Sequence, residues 1–276
     1  MITLTEKILN DVIQPRPAES FKGTYGHALI IGGNETYGGA GIMSATAALY
    51  SGAGLVTLAS AAVNRTALHA RQPEIMFLDW QQTETLQQLI QKADVIVIGP
   101  GLGLEEHAWQ LLQSTLVQLT KNQVIIIDGS ALTLLAQKKT LPQTAAQIIL
   151  TPHQAEWQRL SQIAIAKQEP QRNQKALAAF PAHTILVLKQ HRTEIYQNNQ
   201  IYRNSTGVPA MAVGGMGDTL TGVIAALIAQ FKKPLPATLA AVYLHSLAGQ
   251  RLAQKQYVAL PTQMIQLIPQ LMQEFA

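Results

Sequence analysis

Six short, unbroken apolar runs punctuate this chain, at residues 27–31, 55–59, 95–98, 124–127, 147–150 and 184–188. They are rich in Val and Ile and do not alternate with polar residues, so both faces of each would be buried. Helical stretches such as residues 105–119 separate several of them. That pattern predicts an α/β fold with a mostly parallel sheet covered on both sides. Residues 193–196 and 200–202, around Asn198-Asn199, read as a hairpin at the sheet edge. The remainder reads as helix: a short one near the N-terminus, then 39–50, 219–231, 237–253 and a last one from about 262. Pro234 and Pro236 read as a turn between helices. No repeat or linker interrupts the pattern, so residues 1–276 are expected to form a single domain.

Composition narrows the function classes. Charged residues make up only 13% and the formal net charge is +4. Lys and Arg are scattered, so a small anionic ligand is a better expectation than nucleic acid. Cysteine is absent, which excludes disulfides, thiolate chemistry and Cys-ligated zinc. The first eleven residues lack the basic-then-apolar layout of a signal peptide, and the longest apolar stretch, 223–229, is too short to span a bilayer. A cytoplasmic location with no membrane partner is the simplest expectation.

In open α/β sheets, ligands sit beyond the carboxyl ends of the strands. Here Gly32-Gly33, Gly99 to Gly103, Asp128, His153 and Lys189 all follow apolar runs and would converge on one rim. The sharpest feature is Gly214-Gly215-Met216-Gly217-Asp218, just ahead of a helix of small and apolar residues. Glycines free backbone N–H groups to form an anion nest, and a helix N-terminus adds a favourable dipole. Asp218 is placed to take a proton from an attacking hydroxyl, or simply to cap the helix. The loop is neither a Walker motif nor a dinucleotide fingerprint. A lone His153 is more often structural than catalytic, Lys189 could be merely exposed, and Asp128 is either a turn former or a metal or hydroxyl contact.

At these residues the chain resembles the ADP/ATP-dependent NAD(P)H-hydrate dehydratases of the ribokinase-like superfamily. HALIIGGNETYGGAGIMSATAALYSGAGLV (27–56), VIVIGPGLG (95–103), IIIDGSAL (125–132), LTPHQAEWQRL (150–160), LVLKQHRTEIY (186–196) and NSTGVPAMAVGGMGDTLTG (204–222) carry the resemblance in order. It implies a ribokinase-like three-layer α/β/α domain that repairs the S form of hydrated NADH or NADPH (NADHX, NADPHX). A nucleotide phosphorylates the ring hydroxyl, and loss of phosphate restores the double bond. The resemblance makes Asp218 the base, and Gly214, Gly215, Met216 and Gly217 the phosphate loop. Lys189, Gln190, His191, Arg192 and Thr193 would join Gly217 around the adenine nucleotide, while Ala40, Gly103, His153 and Asp218 contact the hydrate. It further implies ADP or ATP as the donor, ADP being the usual one in single-domain members, Mg²⁺ held largely by the nucleotide and water, and a homo-oligomer, a tetramer in the family.

Several positions depart from the family pattern. Met216 stands where the family has Thr, Val208 for Asn, Ser130 for a second Asp, Gly41 for Pro and Gln190 for Gly. Backbone contacts survive such changes and side-chain contacts do not. Two other functions therefore stay open: a ribokinase-like vitamin or sugar kinase, and a nucleotide-binding sensor that has lost catalysis.

Overall fold

All ten strands join one sheet in the computed structural model, which describes residues 1–276. The strands are β1 (Ile2–Thr3), β2 (His27–Ile31), β3 (Leu55–Ser60), β4 (Met76–Asp79), β5 (Val95–Ile98), β6 (Val124–Ile127), β7 (Gln147–Leu150), β8 (Ile185–Leu188), β9 (Glu194–Gln197) and β10 (Gln200–Arg203). The helices are α1 (Lys7–Val12), α2 (Gly38–Tyr50), α3 (Asn64–His69), α4 (Thr83–Lys92), α5 (Glu106–Gln118), α6 (Gly129–Gln137), α7 (Gln154–Ser161), α8 (Pro170–Leu177), α9 (Met216–Phe231), α10 (Pro234–Ala253) and α11 (Pro261–Phe275).

The order across the sheet is β1-β10-β9-β8-β7-β6-β5-β2-β3-β4. Strands β2 to β8 pair in parallel, as their unbroken apolar runs predict. Antiparallel pairing begins at β9, and Asn198 and Asn199 turn the β9–β10 hairpin at φ 46° and 64°. Two such residues in a row are what a tight type I′ turn needs. Alternate residues of each strand serve opposite layers. Ala28, Ile30, Val95, Val97 and Ile126 pack under α1, α2 and α9 to α11. Leu29, Ile31, Ile96, Ile98, Ile125 and Ile127 pack under α4 to α8. The result is the expected three-layer α/β/α sandwich.

Some expectations need correction. Strands β1 and β4 were not legible as apolar runs: each lies at an edge of the sheet, where half-exposed residues such as Ile2 and Met76 suffice. Because β1 pairs with β10, the hairpin is one strand in from the edge. Pro234 and Pro236 do not form an inter-helix turn; they make the first turn of α10, where a missing N–H costs nothing. Helix α9 begins at Met216, not Thr219.

The small residues of α2 are consumed inside the molecule. A Cβ on Gly222 of α9 would lie 2.1 Å from the Ser44 carbonyl oxygen, so the two helices touch through bare backbone. Ser44 and Thr221 share a buried hydrogen bond of 3.0 Å across the same seam. The seam presses α9 onto the sheet and fixes where its N-terminus points.

Candidate active site

Strands β2 and β5 are neighbours whose onward connections leave in opposite directions, to β3 and β6 respectively. Such a switch point opens a crevice between the two loops that follow. Here the loops are laced together: Gly33 N–H donates to the Pro100 carbonyl at 2.8 Å and Asn34 N–H to the Gly101 carbonyl at 2.7 Å. Gly101 and Gly103 stand at φ 60° and 93°, in the left-handed region where a side chain is strained. Ala40 lies in the first turn of α2 against Gly101. The Gly103 amide donates to Ser130 Oγ at 3.2 Å, so Ser130 still binds the loop through its hydroxyl.

The next three strand ends meet side chain to side chain. Lys189, after β8, is tied back by its amide to the Pro152 carbonyl at 2.8 Å and bridges His153 in parallel. Its Nζ sits 2.7 Å from Asp128 Oδ1, and Thr151 Oγ1 donates to the same oxygen at 2.8 Å. Lys189 is therefore paired and mostly buried rather than exposed, and Asp128 is a partner for a cation. Burial alone would pull the Lys189 ammonium down, but Asp128 and Glu156 outweigh it and hold it above its ordinary value. Lys189 thus keeps its charge.

His153 has a structural task as well. It caps α7: Nδ1 accepts from the amides of Ala155 at 3.1 Å and Glu156 at 3.3 Å. Glu156 returns the contact, accepting from the His153 amide at 2.8 Å. With Nδ1 occupied as acceptor, the neutral ring carries its proton on Nε2, which is 3.5 Å from Glu156 Oε1 and half exposed to the rim. Burial first, then the charges of Lys189 and Arg159, keep this histidine below its usual value and hence neutral. Glu156 was not among the expected site residues. Its spacing from His153 is the capping-box signature, which was the available signal. Burial, opposed by Lys189 and reinforced by Asp128, pushes its carboxyl up to about 7.

The loop of Gly214 to Gly217 completes the rim. Gly215 is the N-cap of α9 at φ 93°, and Asp218 is the third residue of the helix. Asp218 therefore does not occupy the cap position. Thr219 N–H is the first amide taken up, by the Gly215 carbonyl; no backbone acceptor takes those of Met216 and Gly217. These free N–H groups and the positive end of the helix dipole form an anion cradle. A Cβ on Gly217 would stand 3.0 Å from Lys189 Nζ and 3.8 Å from Asp128 Oδ2, which places the loop directly over the ion pair. Burial, and then the like charge of Asp128, raise the Asp218 carboxyl to about 6 against the pull of Lys189. Three carboxylates, Asp128, Glu156 and Asp218, thus surround one lysine.

Beside this cluster opens a cleft of about 410 Å³. Lys189, Gln190, His191, Arg192, Thr193 and Gly217 line it, as do Met216, Val208, Pro209, Leu220, Val242 and His245. The middle of α10, at Val242, His245 and Ser246, completes the wall. His245 was not anticipated either, and nothing in its local sequence marks it. Ala40, Gly103, His153, Lys189 and Asp218 accordingly all lie at the carboxyl edge of the parallel strands. No group of three or more His, Asp or Glu is arranged to hold a metal ion.

A family profile described as NAD(P)H-hydrate dehydratase matches residues 28–270. The chain belongs to that family. A relative from Lactiplantibacillus plantarum, an ADP-dependent (S)-NAD(P)H-hydrate dehydratase, is 50% identical over all of this chain and 98% of its own. A crystal structure of a ribokinase-like superfamily protein from Enterococcus faecalis superposes with a TM-score of 0.96 at 45% identity, covering 100% of this chain and 96% of the other. The ADP/ATP-dependent NAD(P)H-hydrate dehydratase from Bacillus subtilis, crystallised with ATP and Mg²⁺, superposes at 0.87 with 27% identity, covering 100% and 99%. The fold is therefore ribokinase-like. No helix is long and apolar enough to cross a membrane.

Proposed function

We propose that the chain, acting as one unit over residues 1–276, is an ADP-dependent (S)-NAD(P)H-hydrate dehydratase. The observation that carries this reading is the Asp218 carboxylate in the same first helical turn as the free Met216 and Gly217 amides and beside the Asp128–Lys189 pair. The hydrate occupies the crevice of Ala40, Gly103 and His153, with its ring hydroxyl at Asp218. The nucleotide occupies the cleft of Lys189 to Thr193, with its terminal phosphoryl group against Gly214 to Gly217.

Asp218 accepts the hydroxyl proton as that oxygen bonds to phosphorus and the nucleotide leaves. The Met216 and Gly217 amides and Lys189 meet the charge on the transferred group. The ring nitrogen then expels phosphate, the adjacent carbon gives up a proton, and the double bond returns. Hydrate and ADP thus become NADH or NADPH, AMP and phosphate. His153, with Nδ1 already occupied by its own helix, serves as an Nε2–H donor and not as a base. Mg²⁺ fits this oxygen-rich rim only if phosphate oxygens and water fill most of its shell; bound, it neutralises phosphate charge. Replacing the family Thr by Met216 removes a hydroxyl but keeps the amide. Val208 adds apolar wall to the nucleotide cleft.

Mixing the purified protein with hydrated NADH, Mg²⁺ and either ADP or ATP tests the reading. Recovery of reduced-nicotinamide absorbance supports it and identifies the donor. A phosphorylated hydrate that accumulates would favour a kinase, and nucleotide binding without product a sensor. In this reading the chain works in the cytoplasm as a homo-oligomer, a tetramer, and light scattering on the purified chain checks the subunit number.

A further inference from the structure

We infer that His245 reads the nucleobase of the phosphoryl donor, its Nδ1 lone pair accepting a hydrogen bond from the exocyclic amine of adenine. The inference rests on the nucleotide reading above and adds a residue that selects the base. His245 lies in the middle of α10 and is only 4% exposed, yet it forms part of the wall of the 410 Å³ cleft. Its Nε2 is 2.9 Å from Thr219 Oγ1. The Thr219 hydroxyl has one proton and donates it to the Met216 carbonyl at 2.9 Å. Thr219 can then only accept from the ring, so Nε2 carries the imidazole proton. Burial, and then the charge of Lys189, hold this histidine down at about 4, so near neutral pH it carries no second proton. No protein group hydrogen-bonds Nδ1, and it is not sealed off from solvent, so it is left as an acceptor open to the cleft.

Nδ1 is thus an acceptor on the cleft wall that no protein group uses, and a ligand with a donor at that point matches it. Ionised phosphates offer none. A nucleoside diphosphate offers ribose hydroxyls and, in adenine, an amine. The neighbouring wall favours the base. Val242 lies one turn earlier on the same helix, and Leu220 and Val208 line the same cleft, giving apolar contact to a flat ring. Another polar group of the same wall, Ser246 Oγ, already accepts from Asn204 Nδ2 at 2.8 Å. Hypoxanthine and guanine carry a carbonyl oxygen where adenine carries its amine, so acceptor would face acceptor. Such a mismatch in a closed site weakens binding by roughly tenfold or more.

Calorimetric titration of the intact protein with ADP, IDP and GDP reads this without any turnover. The wild type should bind ADP at least about tenfold tighter than IDP or GDP. His245→Phe should shrink that ratio to within about threefold, chiefly by weakening ADP. Equal binding of ADP and IDP by the wild type, or an undiminished ratio in a folded His245→Phe, overturns the inference while leaving the nucleotide site standing. A penalty for 2′- or 3′-deoxy-ADP that vanishes in His245→Phe overturns it too, by assigning the lone pair to ribose. Failure to bind any nucleotide overturns the site reading beneath it. Nitrogen-15 NMR of histidine-labelled wild type covers the case in which the Phe variant does not fold. Nδ1 should appear unprotonated and shift with ADP but not with IDP; a protonated Nδ1 in the free protein sinks the idea.

Discussion

As the proposed base, Asp218 would have to satisfy two demands that oppose each other: it has to be ionised to take a proton, and it has to sit in a place dry enough for phosphoryl transfer. Burial, aided by the charge on Asp128, pushes its carboxyl up to about 6, while Lys189 limits the rise. Below that value the acid is protonated and cannot accept; above it the carboxylate is available. The kcat/KM profile should therefore fall on its acid side with a midpoint near 6. Asp128→Asn removes a like charge and frees Lys189 to face Asp218, so both effects should move that midpoint to lower pH. A midpoint that stays or rises in Asp128→Asn would contradict the assignment. Asp218→Asn should lose about 10²–10⁴-fold in turnover, the usual cost of removing a general base. Since Asp218 is not the N-cap, its melting temperature and nucleotide affinity should stay near wild type. Wild-type-like turnover in Asp218→Asn would leave this carboxylate with no catalytic role.

The helix that carries Asp218 is aimed by its contact with α2, and two glycines of the same region test that contact against each other. A Cβ on Gly222 meets the Ser44 carbonyl oxygen at 2.1 Å and the Ala48 nitrogen at 2.9 Å, both backbone atoms that cannot step aside. A Cβ on Gly214 meets nothing within 4 Å. Gly222→Ala should therefore destabilise the fold by about 1–3 kcal/mol, as overpacking does, and Gly214→Ala by little. Thermal denaturation of the two variants side by side checks this; equal melting temperatures would mean that α2 and α9 do not meet through backbone. The same elements show what sequence reading can and cannot reach. Strands β2, β3, β5, β6, β7 and β8 were legible because burial on both faces leaves an unbroken apolar run. Strands β1 and β4 were not, because edge strands need no such run. The N-terminus of α9 was placed three residues late because Gly215, Met216 and Gly217 look like loop, yet Met216 and Gly217 already have helical geometry. Glu156 could have been read from its spacing to His153. The partnership of Asp128 with Lys189, and the place of His245, join residues far apart in the chain and leave no local mark.

Across the whole molecule, the sheet delivers the two proposed, adjoining sites to one edge. The β2–β5 switch point opens the crevice beside Ala40 and Gly103, and the end of β8 with the start of α9 opens the cleft beside Lys189 and Gly217. Gly217 belongs to the second only. A side chain there would start 3.0 Å from Lys189 Nζ and fill the space over the ion pair where the terminal phosphoryl group is expected. Filling a tight site in this way typically costs about 1–3 kcal/mol, or roughly ten- to hundredfold in affinity. Gly217→Val should thus weaken ADP binding by that factor and change binding of hydrated NADH by less than about threefold. The stabilising effect of each ligand gives a second readout. At a hundred times its Kd a ligand adds about 2.7 kcal/mol to stability, which appears as a rise in melting temperature. In Gly217→Val, at fixed ligand concentration, the rise caused by ADP should shrink and the rise caused by hydrated NADH should persist. Equal loss for both ligands, or loss for the hydrate alone, would mean that the two halves of the cleft are exchanged.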